Sequence, residues 1–301
     1  MTDLRDTVSL PAYTIEHRVS ASQAAEGGVD WSSRTYRVPE LWSHSQGAGV
    51  TVAVIDTGVC PHIALSEALI ETRSFHDNED CVGHGTHVAG IIAARSGPML
   101  GVAPQSKIMS LKVLGSDGTG SNRSVADALR FCADHSVDIA CMSLGSAYPD
   151  AEVHAALCYA VDMGVTVICA AGNNYGAVNY PAAYPESIGV SAVDQKGNAC
   201  IFSSRGAEVS VAAPGYEITS CWLDNGYATL SGTSMAAPFV AGVCAIYISS
   251  ERMAHREPTP ADIKRAISES SRDVGAVGKD PVYGWGLIDP HSMIHPPKGI
   301  A

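Results

Sequence analysis

From residue 50 onward, short apolar runs alternate with segments of helical period, and this alternation restricts the fold more than any other feature. "VTVAVI" (50–55), "KIMSLKV" (107–113), "VDIACMS" (137–143), "VTVICAA" (165–171), "SIGVSAV" (187–193) and "EVSVAA" (208–213) read as strands. "HGTHVAGIIAA" (84–94), "SVADALRFCADH" (124–135), "AEVHAALCYAVDMG" (151–164), "SMAAPFVAGVCAIYISSE" (234–251) and "TPADIKRAISESS" (259–271) read as helices. The last opens on a threonine cap with proline in its first turn. Strands that are apolar throughout must be covered on both faces. The expectation is an α/β fold of three layers, a mostly parallel central sheet flanked by helices. One domain spans 26–290. Residues 1–25 are polar and without period, and read as an extension outside it. The tail 291–301, after Asp289, reads as loose.

Composition narrows the partners. The net charge of −12 disfavours nucleic acid and anionic membrane, both of which reward basic patches, so neither is expected as a partner. No run reaches the roughly 18 apolar residues of a membrane span. The first thirty residues lack a basic start followed by an apolar stretch. The nine cysteines have no paired spacing, and Cys141 and Cys169 sit inside apolar runs as small core hydrophobes. Together these features predict a reducing, cytoplasmic setting. Cys60 and Cys81 fall close in sequence to Asp56 and His84; a metal pair or redox switch is one reading, incidental cysteines the preferred one.

In an open α/β sheet, ligands bind at the carboxyl ends of the strands. There the chain offers Asp56 after the first strand, Asn173 after "VTVICAA", and His84 and Ser234 at helix starts. Alone, Ser234 in "LSGTSMAAPFV" is as readily a helix-packing serine. As a set, the four make a mechanism. An imidazole can take the serine proton, a carboxylate can fix the imidazole, and an amide with a backbone N–H can hold an oxyanion. Gly232 and its small neighbours then leave room for a peptide carbonyl. His84 and His87 have HxxH spacing, but no third zinc-type ligand is evident, and His87 reads as structural.

The segments "VAVIDTGV", "GHGTHVAGIIA", "LKVLGSDGTG", "MSLG", "AAGNN", "FSSRG", "LSGTSMAAPFVAG" and "GWGLID" resemble, in order, those of the subtilisin family of serine proteases. The order Asp…His…Ser is the one known for that family. The resemblance implies a serine endopeptidase acting on protein or peptide. Ser234 would be nucleophile, His84 general base and acid, Asp56 its orienting group and Asn173 the oxyanion donor. Gly118 and Gly120, and Ser143, Leu144 and Gly145, would be the edges that bind substrate backbone. Ala170, Ala171 and Gly172 would wall the primary pocket, with Asn179 near its floor and hence a preference for uncharged side chains. A peptide ligase on the same residues and an inactive peptide-binding relative are the rival readings. Oligomeric state is left open.

Two departures stand out. "VSLPAYTIE" (8–16) resembles the inhibitory N-terminal segment of intracellular subtilisins, though Ala12 separates Pro11 from Tyr13. Residues 1–25 are therefore expected to block the site until clipped. The loop "RSGPML" (95–100) lacks the acids and amides of the family's strong calcium site, so no cofactor is expected to be required. A weaker cation site near "AAYPES" (182–187) stays open.

Overall fold

The computed structural model describes residues 4–19, 28–76 and 82–295. Chain order begins with strands β1 (Thr7–Ser9), β2 (Thr14–Val19) and β3 (Gly28–Val29), then helices α1 (Trp31–Thr35) and α2 (Val38–Leu41). Next come β4 (Thr51–Asp56), β5 (Leu69–Ser74), α3 (His84–Ala93), β6 (Met99–Leu100), β7 (Lys107–Lys112) and β8 (Thr119–Ser121). They are followed by α4 (Asn122–Asp134), β9 (Ile139–Met142), α5 (Ala151–Asp162), β10 (Thr166–Ala170), β11 (Ile188–Val193), β12 (Val209–Pro214), β13 (Ile218–Cys221) and β14 (Tyr227–Ser231). Helices α6 (Thr233–Met253), α7 (Pro260–Ser270) and α8 (Pro290–Ile294) close the chain.

Seven strands form one parallel sheet in the order β12-β11-β10-β9-β4-β7-β5. The chain starts this sheet at β4, builds outward to β5 and β7, then crosses to β9 on the other side of β4. That reversal opens a crevice at the carboxyl end of β4, where Asp56 is the last strand residue. Alternation along β4 divides the core in two. Val52 and Val54 pack in the layer of α3 and α6, while Ala53 and Ile55 pack in the layer of α4 and α5. Both faces of the strand are therefore dry, as its continuous apolar run requires.

Helix α6 is long and apolar enough to cross a membrane by length and composition, contrary to the sequence reading, but 89 % of its apolar window is buried inside the fold. The capping reading of α7 holds: Thr259 Oγ1 accepts from Asp262 N, and Asp262 Oδ2 accepts from Thr259 N.

Two expectations need correction. Residues 7–19 do not lie apart from the domain as an extension outside it: β1 pairs antiparallel with β8, and β2 pairs antiparallel with β14. The start of the tail is not loose, because Asp289 caps α8 through the N–H groups of His291 and Ser292, and Met293 is buried. Residues 20–25 and 296–301 lie outside the described residues.

Candidate active site

Four elements, β4, α3, β10 and α6, bring four side chains to the crevice. Asp56 ends β4, His84 opens α3, and Ser234 is the second residue of α6; all three are fully buried. His84 Nδ1 lies 2.8 and 3.0 Å from the two Asp56 carboxylate oxygens. Asp56 Oδ1 also accepts the Thr57 N–H at 2.7 Å. This fixes the ring with Nδ1–H toward the carboxylate and leaves Nε2 as the free lone pair. Close approach demands glycine at 85, since a Cβ there would lie 2.4 Å from the Gly58 carbonyl and 3.2 Å from Asp56 Oδ1.

Asn173 is oriented from behind. Its Oδ1 accepts from Thr233 N and from Thr233 Oγ1, both at 2.8 Å, which turns Nδ2 into the crevice. Asn174 is placed differently: its Oδ1 accepts from Ser204 Oγ and Gly176 N within the loop. Pro238 has a local reason. Lacking an N–H, it cannot bond the Ser234 carbonyl four residues back, and Ser143 Oγ donates to that carbonyl instead at 2.9 Å.

The chain's own N-terminal segment lies in the crevice. Ser9 exchanges both backbone hydrogen bonds with Gly145, at 3.0 and 2.8 Å, and Leu10 N donates to Gly118 O at 2.9 Å. Val8 pairs with Gly120 and is buried. A Cβ on Gly120 would lie 2.1 Å from the Val113 carbonyl. Asn173 Nδ2 donates to the Ala12 carbonyl at 2.7 Å. The Tyr13 ring sits 4.9 Å from the His84 ring, and burial, then the charge on Asp56, push its phenol pKa up. The segment then continues as β2 along β14, which leads straight to Gly232.

Ser9 and Gly145 form a hydrogen-bonded antiparallel pair, so continuing that register by two residues sets position 11 against Ser143. An ordinary residue there would donate its N–H to the Ser143 carbonyl; Pro11 has none. That carbonyl instead accepts the Ser234 hydroxyl at 3.3 Å, and His84 Nε2 has no hydrogen-bond partner among the described residues.

The residues expected to bind substrate surround this segment. Gly118, Gly120 and Gly145 meet it through backbone, whereas the Ser143 carbonyl accepts from Ser234 instead. The Leu144 side chain points away and is fully buried, so only its backbone edges the crevice. Ala170 and Ala171 are buried at the end of β10, and the Ala171 carbonyl accepts from Asn179 N at 2.9 Å. Asn179 sits between the two walls: a Cβ on Gly145 would meet its Cβ at 3.0 Å, and one on Gly172 its Nδ2 at 2.9 Å. Sequence reasoning missed the β13–β14 hairpin and the part of Tyr13.

His87 is apart from this chemistry. Its Nε2 lies 3.1 Å from the Ile218 carbonyl and 3.0 Å from that of Ala228, so it carries the proton, and burial drives its pKa down to about 3. Cys60 is disulfide-bonded, against the reading of incidental thiols, and the seven other described cysteines are free. Cys81 lies outside the described residues.

The family model described as the subtilase family matches residues 47–286. Subtilisin Savinase of Lederbergia lenta is 36 % identical over 269 residues, covering 87 % of this chain and 97 % of that protein. A thermostable alkaline protease of Halalkalibacterium halodurans is 39 % identical over 296 residues, covering 95 % of this chain and 78 % of it. The minor extracellular protease Epr of Bacillus subtilis is 36 % identical over 270 residues, and there the chain spans only 40 % of the relative's length. An Asp–His pair, a serine at a helix start and an amide donor in one crevice thus coincide with a match across most of the chain: it belongs to the subtilase family of serine endopeptidases.

Proposed function

We propose that peptide-bond hydrolysis runs through an acyl-enzyme on Ser234, and that residues 7–19 hold this machinery shut. The observation that carries the proposal is the Ala12 carbonyl seated on Asn173 while Ser234 points to Ser143 instead of His84. For turnover the segment leaves and the Ser234 hydroxyl rotates to His84 Nε2. His84 takes the hydroxyl proton as Oγ bonds to the substrate carbonyl carbon. Asn173 Nδ2 and the Ser234 N–H, at the positive end of α6, hold the oxyanion. The C–N bond then breaks as His84 gives its proton to the leaving amine. Water repeats the sequence to release the acid, and Asp56 steadies the imidazolium throughout. Asn179 as an uncharged pocket residue supports a preference for uncharged side chains.

Two further readings belong to this proposal. Catalysis needs no cofactor, since every group in the sequence of steps is a side chain or backbone N–H; turnover that survives chelation is the expected result. The enzyme works in the cytoplasm. Free thiols at Cys132, Cys141, Cys158, Cys169, Cys200, Cys221 and Cys244 support that setting, and the disulfide at Cys60 is the observation against it. Cell fractionation decides.

The test is labelling with a fluorophosphonate and intact mass over time, beside Ser234→Ala. The label is expected on Ser234 alone, with slow self-cleavage near Tyr13 in the wild type only. Turnover should fall roughly 10⁶-fold in Ser234→Ala. A protein that neither labels nor cleaves peptide would refute the assignment.

A further inference from the structure

A second cluster of chemically capable side chains lies on α5, formed from residues that play no part in the crevice. His154 and Cys158 are one turn apart, so their side chains share a face. Glu186, in the turn leading into β11, meets them. His154 Nε2 is 3.0 Å from Glu186 Oε2, the Cys158 thiol also bonds Glu186, and one ligand atom from each of the three lies within 4.8 Å of the others.

The cluster is held from behind. The His154 ring stacks on Tyr184 with centroids 4.2 Å apart and planes 7° from parallel. The Tyr184 hydroxyl donates to the Asp150 carbonyl and accepts from Asp150 N, both at 2.8 Å, which ties the stack to the cap of the same helix. The Glu186 backbone is pinned on both sides. Lys264 donates to the Pro185 carbonyl, and Ser187 Oγ donates to that of Tyr184. The His154 and Glu186 side chains are 39 % and 32 % exposed, so a fourth position faces water.

We propose that His154, Cys158 and Glu186 form a site for one zinc-class divalent cation, bound through Nε2, Sγ and a carboxylate oxygen with water as fourth ligand. An N, S, O donor set suits zinc, whereas calcium and magnesium take oxygen. Zinc–ligand bonds of about 2.0–2.3 Å place tetrahedral ligand atoms about 3.3–3.8 Å apart, so small side-chain rotations close the site. The ion displaces the thiol proton, which passes to water. Burial first, then the charges on Glu186 and Asp162, raise the thiol pKa, so that proton is present before the ion arrives. The site differs from a carbonyl-lined one in the 182–187 turn, where Ser187 Oγ engages the carbonyls of Pro181, Ala182 and Tyr184. It would also brace the crevice wall. The same turn runs back to Tyr180, which exchanges backbone hydrogen bonds with Ser146 at 2.8 and 2.9 Å, and to Asn179.

The experiment uses the full chain carrying Ser234→Ala, stripped of metal and titrated with cobalt(II), then zinc. A thiolate-to-cobalt charge-transfer band should saturate at one ion per chain and vanish on zinc addition. It should be absent in Cys158→Ser and His154→Ala. Glu186→Gln should keep the band with affinity lowered roughly 10-fold or more. Zinc should raise the melting temperature of the parent but not of Cys158→Ser, a comparison that each variant's own metal-free melt controls for folding. No band at saturating cobalt, or a band that survives Cys158→Ser, would overturn the proposal.

Discussion

Gly232→Ala isolates the oxyanion donor without touching a reacting group. The Gly232 backbone is extended, at φ 163° and ψ 161°, so alanine meets no backbone strain there. Its Cβ would instead lie 2.9 Å from Asn173 Nδ2, against an ordinary contact of 3.4–4 Å. The amide must retreat by about half an ångström. It cannot simply swing away, because Thr233 holds its Oδ1 by two bonds of 2.8 Å. The donor is therefore displaced from the carbonyl oxygen it should meet at hydrogen-bond distance. Removing such a donor outright costs about 10²–10³ in kcat, or about 2.7–4 kcal/mol. Displacing it should cost about 10–10²-fold in kcat with KM little changed. Steady-state kinetics on a peptide substrate, after release of the N-terminal segment, checks this beside Asn173→Ala and the double variant. Because both changes act on one amide, the double variant should be no slower than Asn173→Ala within a factor of about 3. Full kcat in Gly232→Ala, or losses that multiply, would refute the reasoning.

Pro11→Ala restores the N–H that the Ser143 carbonyl lacks, so the Ser234 hydroxyl should be freed for His84. Intact mass should show the segment cut at least severalfold faster than in the wild type. His87 is neutral in the fold, its pKa driven from 6.5 to about 3 by burial. The unfolded chain therefore binds a proton that the native one refuses. The stability tied to His87 is whole above pH 6.5 and is lost as pH falls toward about 3, at about 1.4 kcal/mol per unit. Urea unfolding across that range should lose that slope in His87→Gln. Thr259→Ala removes the capping box of α7 and should cost about 1 kcal/mol, read as a lower urea midpoint at unchanged m.

How much was legible follows from where each signal lives. Strands such as "VTVAVI" are buried on both faces, so hydrophobicity alone locates them. Sheet order is not written in any one strand, and it emerges only as β4 is flanked by β7 and β9. Positions with no room for a side chain announce themselves as glycine: Gly85 against the Gly58 carbonyl, Gly145 against Asn179 and Gly232 against the Asn173 amide. Residues 14–19 carry little strand signal because only Val19 packs against the core and the other five side chains are exposed; their order comes from backbone pairing to β14. The metal-ligand cluster was equally silent. His154 and Cys158 show helical spacing, but Glu186 reaches them only through the fold.

The most direct test of an endopeptidase held shut by its own N-terminal segment is peptide hydrolysis by the chain begun at residue 26, measured beside the freshly purified full chain, with Ser234→Ala of each as blank. Fast turnover by the shortened chain, a lag or near silence in the full one, and none in either blank is the expected result. Equal initial rates from the two would mean that the segment does not guard the site, and hydrolysis surviving in Ser234→Ala would mean that the chemistry lies elsewhere.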